Sequence, residues 1–205
     1  MAFFKTKKNK EKKEEKRSPV AVGLDYLHDV VYILAVVLVA FTFCVRVVIV
    51  SGSSMFSTLV DGDYLLLINR PLCGELEQGD IVVASMDRFR GGEAIVKRVI
   101  ATEGQTVDID FREGIVYVDG AALEETYIFS PTHLSEGVEF PLVVQEGCVF
   151  LMGDNRMDSR DSRAPEIGQV DEREILGRAV FLMVPGSGVG EYTVTPDFSR
   201  IGGLE

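Results

Sequence analysis

From Val30 to Val45 the sequence runs for sixteen residues with a single polar interruption, Thr42; Arg46 follows, and then Val47 to Val50. A run of this length and composition leaves a chain two choices, the interior of a core or the interior of a lipid bilayer. Sixteen helical residues reach about 24 Å. With Arg46 snorkelling, Val30 to Val50 reaches about 31 Å, the thickness of a bilayer's hydrocarbon core. The flanks favour lipid. Residues 1–17 hold eight Lys/Arg against three acids, whereas the remaining 188 residues hold 13 against 29. A tail so basic and polar does not precede a buried core helix, and the asymmetry puts the tail on the cytoplasmic side and the body outside. Residues 1–28 are therefore expected as a basic cytoplasmic tail, 29–50 as one transmembrane helix, and 51–205 as an extracytoplasmic domain of a single-pass plasma-membrane protein. Tyr26 and Tyr32 suit the inner interface, and the lysine-rich start suits a disordered segment touching anionic headgroups. A cleaved secretory signal shares the basic start and apolar core. This run is long for that role, and its C-terminal flank has no clean small-x-small site.

The acidic body argues against nucleic-acid binding, because phosphate contacts need clustered Lys/Arg. Cys44, Cys73 and Cys148 have no metal-ligand spacing, and two cysteines 75 positions apart are weak grounds for a disulfide. The two histidines, His28 and His133, are too few for a histidine-based metal site. No metal and no cofactor is called for.

After the apolar run the pattern becomes that of strands. Short β-branched or alternating runs occur at 63–69, 80–85, 94–101, 106–111, 114–118, 143–144, 148–152 and 177–184, with glycine-containing turns between them. No soluble segment carries a long 3.6-residue stripe. The body reads as mostly β, a barrel or sandwich. Residues 129–140 read as a loop. The glycine-rich segment after Pro185 reads as weakly ordered apart from 192–194.

One compositional detail points to chemistry. Seven of the eight lysines lie in the first sixteen residues, and the eighth is Lys97. Every other cation from residue 17 onward is one of thirteen arginines. Arginine stays charged, whereas a desolvated lysine loses its proton and acts as a base. In a strand, Lys97 shares a face with Ile95 and Val99, which would desolvate it. Two further elements stand out. Gly52-Ser53-Ser54-Met55-Phe56-Ser57-Thr58-Leu59 is a small-residue turn right after the apolar run, suited to cradling an oxyanion with backbone N–H groups. Residues 152–163 pack three Asp, three Arg, an Asn and two Ser directly behind the apolar run 148–152. Such a dense, sign-balanced stretch suits a hydrogen-bonded support for a site.

Together, in this order and behind a membrane span, these elements resemble the bacterial type I signal peptidases, in their single-span form. The family's first box, G-x-S-M-x-P-T-L, is similar to residues 52–59, with Ser57 where the family has proline. Gly62-Asp63, Gly79–Val83 and Lys97-Arg98-Val99 match the following boxes. Residues 153–163 match G-D-N-R-x-x-S-x-D-S-R at every specified position, and Gly177-Arg178-Ala179 resembles the closing strand. The resemblance covers about residues 30–185. It implies coiled antiparallel sheets preceded by one N-terminal transmembrane helix. It also implies a serine endopeptidase that removes signal peptides from exported preproteins, cutting after small residues at −3 and −1.

Carried over by position, Ser54 is the nucleophile and Lys97 the general base, forming a Ser/Lys dyad. Ser159 is expected to hydrogen-bond the lysine amine, Asp161 and Arg163 to pair and brace the site, and Asp154 and Arg98 to belong to the same support. The oxyanion falls to the Ser54 N–H, since position 52 is glycine. Ser53 is the runner-up nucleophile. Met55, Leu59 and Val96 neighbour the dyad and are candidates for shallow apolar substrate pockets. The implied partners are signal peptides, the lipid bilayer and the secretion translocon. A membrane-tethered, inactive binding domain would keep the fold and lose the dyad. A self-cleaving Ser/Lys repressor shares the dyad but would carry a DNA-binding domain in place of a membrane span.

Overall fold

The structure, a computed structural model, describes residues 19–204. The basic segment of residues 1–18 lies outside the described residues. The chain divides into two units, the first ending at Ala40 and the second starting at Phe41.

Helix α1 runs from Pro19 to Cys44, and within it Val22–Cys44 is long and apolar enough to cross a membrane. Those 23 residues rise about 34 Å. Ile33, Leu34, Leu38 and Phe41 are all exposed. The helix does not reach residue 50, as the apolar run suggested. It stops at Cys44, and Val45–Ile49 is strand β1. The cause is local composition with a waiting partner. Val45, Val47, Val48 and Ile49 are β-branched, a class that loses side-chain freedom in a helix and suits a pleated surface. Strand β2 (Tyr64–Asn69) pairs with them antiparallel, Val45 opposite Ile68 and Ile49 opposite Tyr64. Asn69 Nδ2 donates to the Phe43 carbonyl at 2.9 Å, satisfying one of the acceptors that the end of a helix leaves free.

The remaining strands are β3 (Ile81–Ser85), β4 (Ala94–Ala101), β5 (Thr106–Asp110), β6 (Ile115–Val118), β7 (Ala121–Ala122), β8 (Leu142–Val143), β9 (Cys148–Met152), β10 (Val170–Asp171), β11 (Ile175–Val184) and β12 (Gly202–Gly203). Eight of the strands form one sheet in the order β1-β2-β11-β3-β4-β9-β10, with β12 beside β11. The other four form a second sheet, β7-β6-β5-β8. Every pairing is antiparallel.

Strand alternation partitions the core. On β3, Val82 and Ala84 join one cluster with Val99, Leu151 and Ile175, while Ile81 and Val83 face another with Met55, Leu59, Leu65 and Leu67. On β9, Val149 and Leu151 join the first cluster, while Phe150 and Met152 pack against Val107, Ile109 and Val116 of the small sheet. The large sheet is thus covered on both faces. This forces β4, near its middle, to be buried from Lys97 to its end.

Residues 129–140 form a loop, as read from the sequence. The segment after Pro185 does not match its expected looseness. It contains the short turns Gly190–Tyr192 and Phe198–Arg200, adds β12 to the sheet, and packs Leu204 against the cluster of Met55 and Leu59. The three cysteines are free, and Cys73 donates its S–H to the Ile68 carbonyl at 3.0 Å.

Candidate active site

The turn between β1 and β2 carries Ser54. Phe56 N–H donates to Ser53 O at 3.0 Å and Leu59 N–H to Met55 O at 2.8 Å, which winds residues 53–59 into a tight coil. Asp61 Oδ1 accepts the Gly52 N–H at 2.8 Å and closes the turn. Met55 points into the core and anchors the coil, leaving Ser54 half-buried beside β4. Among the described residues no acceptor takes the Ser54 amide N–H.

Lys97 meets that serine. Its Nζ donates to Ser54 Oγ at 2.5 Å and to the Val96 carbonyl at 3.0 Å. Its side chain is 3% exposed, and among the described residues no carboxylate forms an ion pair with it. Burial lowers its pKa from 10.5 to about 8. The charges of Asp161, Asp154 and Glu136 pull upward, and that of Arg163 pulls downward. Desolvation wins because none of the carboxylates is close enough to pair. The Ser53 hydroxyl is committed elsewhere, donating to Asp158 Oδ2 at 2.5 Å.

Behind Ser54 and Lys97 lies the loop from Gly153 to Arg163, which grows out of β9. Asn155 N–H donates to Ser54 O at 3.0 Å, and Asn155 Nδ2 to Ser53 O at 3.2 Å. Gly153 lets the two segments touch: a Cβ there would sit 2.2 Å from Ser159 Oγ and 2.4 Å from Ser54 O. Arg163 grips Asp161 through Nε at 2.8 Å and Nη2 at 2.9 Å, with both side chains fully buried. Burial pushes the Asp161 carboxyl up, but the Arg163 guanidinium, the Gly153 N–H and the Ser159 hydroxyl together hold it below the usual carboxylate range. Arg98 grips Asp154 in the same bidentate way, at 2.9 and 2.8 Å, and lies 4.0 Å above the Tyr127 ring.

The family model described as "Signal peptidase, peptidase S26" matches residues 24–184. The probable signal peptidase I-1 of Synechocystis sp. is 37% identical over 158 residues, covering 72% of this chain and 76% of its own. Signal peptidase I of Bacillus amyloliquefaciens is 36% identical over 146 residues, covering 67% of this chain and 72% of its own. Signal peptidase I T of Bacillus subtilis is 35% identical over the same length and with the same shares. The chain belongs to the bacterial type I signal peptidases, a family of serine endopeptidases.

In this peptidase the residues singled out from the sequence converge, with two differences. Ser54, Lys97, Ser159, Asp161, Arg163, Asp154 and Arg98 lie together. Ser159, however, gives its hydroxyl proton to Asp161 Oδ2 at 2.8 Å and makes no hydrogen bond to the lysine amine. The Ser159 hydroxyl keeps its acceptor lone pairs, but the lysine amine directs its bonds to Ser54 Oγ and the Val96 carbonyl instead. The pocket candidates also divide. Val96 lines a cleft of about 400 Å³ together with Ser54, Lys97 and Ser159, and Met55 borders it from the coil while its side chain lies in the core. Leu59 does not: the helical bond to Met55 turns its side chain into the core, where it is fully buried.

Several supporting residues escaped the sequence reading. Arg156, fully buried, pairs with Glu125 and donates to Thr132 Oγ1 at 2.7 Å and to Gly153 O at 3.0 Å. Glu136, whose side chain is 4% exposed, lines the same cleft and pairs with Arg160 at 2.9 Å. Arg156 sat inside the matched box, so the box itself was a signal. Glu125 and Glu136 lie in irregular chain, where no local pattern distinguishes them from surface acids.

Proposed function

We propose that this peptidase removes N-terminal signal peptides from exported preproteins, with Ser54 as nucleophile and Lys97 as general base, cutting after small residues at −3 and −1. The observation that carries the reading is the 2.5 Å contact between Ser54 Oγ and an ammonium that is buried, without a carboxylate partner, and has its pKa lowered to about 8. Neutral Lys97 takes the Ser54 proton as Oγ attacks the scissile carbonyl. The unpartnered Ser54 N–H is the donor for the oxyanion. Lys97 then gives its proton to the departing amine, and an acyl-serine remains. Water, deprotonated by Lys97, hydrolyses that ester and frees Ser54. The 153–163 loop keeps the serine in place through Asn155 and supplies the charges around the lysine.

The same proposal anchors the enzyme. Residues 22–44 span the plasma membrane, the basic tail before them lies in the cytoplasm, and residues 45–205 work on the outer side. Nine residues separate Cys44 from Ser54. The serine is therefore tethered near the level at which a membrane-inserted signal emerges, and confinement raises the encounter rate. The bilayer and the secretion translocon are the implied partners.

Cleavage of a model preprotein in liposomes tests the assignment, with the new N-terminus read by mass spectrometry. Ser54→Ala is expected to lose turnover by about 10⁴-fold or more while Ser53→Ala keeps most of it. Activity that survives in Ser54→Ala and disappears in Ser53→Ala would move the nucleophile. A cut away from small residues would remove the specificity.

A further inference from the structure

The family match ends at residue 184, yet the chain beyond it is fastened to the turn that carries Ser54. Arg200 Nη2 donates to the Thr58 carbonyl at 2.9 Å and pairs with Asp63 at 2.7 Å, while Nη1 reaches the other Asp63 oxygen at 3.2 Å. Asp63 is fully buried and also accepts the N–H groups of Val60, at 2.9 Å, and of Gly186, at 2.6 Å. One carboxylate therefore ties the end of the nucleophile turn to both ends of the C-terminal segment. Gly188 N–H adds a bond to Asp61 O at 3.0 Å, and Asp61 is the residue whose side chain holds the Gly52 N–H. The approach is so close that a Cβ on Gly186 would stand 2.2 Å from Asp61 O and 2.6 Å from Asp63 N. Farther along, the Tyr192 ring lies 5.0 Å from that of Phe56, two positions after Ser54, and Leu204 packs in the cluster of Met55 and Leu59.

We propose that residues 186–204 form a clamp that fixes the Ser54 oxygen against Lys97, with Arg200 as its positioning residue and Tyr192 as a secondary one. The proposal rests on the reading of Ser54 and Lys97 as the dyad. Neither Arg200 nor Tyr192 touches the reacting atoms; they act through residues 56–63. Freeing that turn would widen the range of positions Ser54 Oγ samples. Misplacement of this kind costs rate in the chemical step and leaves substrate binding largely alone.

The test uses the full chain in liposomes with a model preprotein. Arg200→Ala, Arg200→Lys, Tyr192→Ala and the exposed control Phe198→Ser are compared with wild type. Folded fraction is taken from thermal melting, and rates are expressed per folded molecule. Arg200→Ala is expected to lower kcat by about 30-fold with KM changed by less than about twofold. Arg200→Lys should recover part of that loss, since an ammonium keeps the charge but not the two-pronged grip. Tyr192→Ala should lower kcat by about threefold, and Phe198→Ser should match wild type. Acylation of Ser54 by a serine-reactive probe should slow in step with kcat. If Arg200→Ala does not fold, Arg200→Lys and Tyr192→Ala decide the matter. A kcat per folded molecule within about twofold of wild type in the folding variants overturns the clamp and leaves a stability element. Ser54→Ala, run alongside, separates the two levels. If it is inactive while the tail variants are unaffected, only the clamp falls; if it is active, the dyad falls and the clamp has nothing to position.

Discussion

Lys97 and Arg98 are neighbours on β4, both cations, and buried to the same degree, at 3% and 2% exposure. They meet opposite fates. Arg98 has both prongs in Asp154, gives a further hydrogen bond to Gly79 O at 2.8 Å, and stacks on Tyr127. Lys97 meets a hydroxyl and a carbonyl, and its carboxylate neighbours stay at arm's length. Strand geometry accounts for the difference, because adjacent residues point to opposite faces. One face offers a completed ion pair, which braces. The other offers desolvation without neutralisation, which suits the proposed base. The same burial is structural for one cation and, on the proposed reading, chemical for its neighbour, and what separates them is whether a carboxylate stands within hydrogen-bond distance.

The contrast breaks most sharply at Lys97. Lys97→Arg keeps the charge and removes the titration, and turnover should fall by about 10⁴-fold or more. Lys97→Met should be equally inactive yet no less stable. A folded pKa of about 8, against 10.5 for the free side chain, means that the charged form is disfavoured by roughly 3 kcal/mol. The sign follows from proton counting. Between pH 8 and 10.5 the unfolded chain holds a proton that the folded chain has released, so wild-type stability rises with pH across that window. Below pH 8 the full penalty applies, and there Lys97→Met should gain its largest advantage, roughly 1–3 kcal/mol in denaturant melts. A clear loss of stability in Lys97→Met would mean that the lysine braces after all.

At Arg98 the expected effect lies in stability. Arg98→Met leaves Asp154 buried with its cation gone, and should cost roughly 3–5 kcal/mol. The denaturant midpoint should fall with an unchanged slope. Adding Asp154→Leu should recover most of the loss, because a buried pair replaced as a whole by apolar side chains is close to neutral. An Arg98→Met protein as stable as wild type would erase the distinction between the two neighbours.

Much of this was legible in the sequence, for reasons that differ by element. Strands β4 and β9 were read to the residue, because β4 is a largely β-branched run with polar borders and β9 an apolar run between Gly147 and Gly153. The Ser54 turn and the 153–163 loop stood out through their match to the boxes of the signal peptidase family. What failed was non-local. β1 looked like the end of a membrane helix, since an apolar run does not disclose whether a partner strand waits twenty residues later. The two-residue strands β7, β8, β10 and β12 carry no periodicity. The tail after Pro185 looked loose because its order comes from Asp63, more than a hundred residues away. Ser159 was expected to bond the lysine amine and is found bonded to Asp161, because which neighbours come within reach depends on distances that spacing cannot supply.

The finest test concerns how Lys97 is kept near neutrality without being neutralised by a partner. The groups facing it are Asp161, Asp154 and Glu136, which raise its pKa, and Arg163, which lowers it. Glu136 is the one of the three carboxylates without a two-pronged arginine. Burial and the Asp161 charge push its own carboxyl above the usual range, while it pairs with the half-exposed Arg160 at 2.9 Å and more loosely with Arg163 at 3.9 Å. Glu136→Gln therefore removes a negative charge near the base while leaving both buried pairs intact. With less negative potential, the ammonium gives up its proton more readily, so the acid limb of kcat/KM should move from about pH 8 toward lower pH. The displacement should be smaller than about one unit, because the carboxylate does not touch the amine. A structural role alone would lower the plateau and leave the limb in place. A shift toward higher pH would mean that the carboxylate's field is not what the base feels, and that desolvation by the closed cleft sets the lysine by itself.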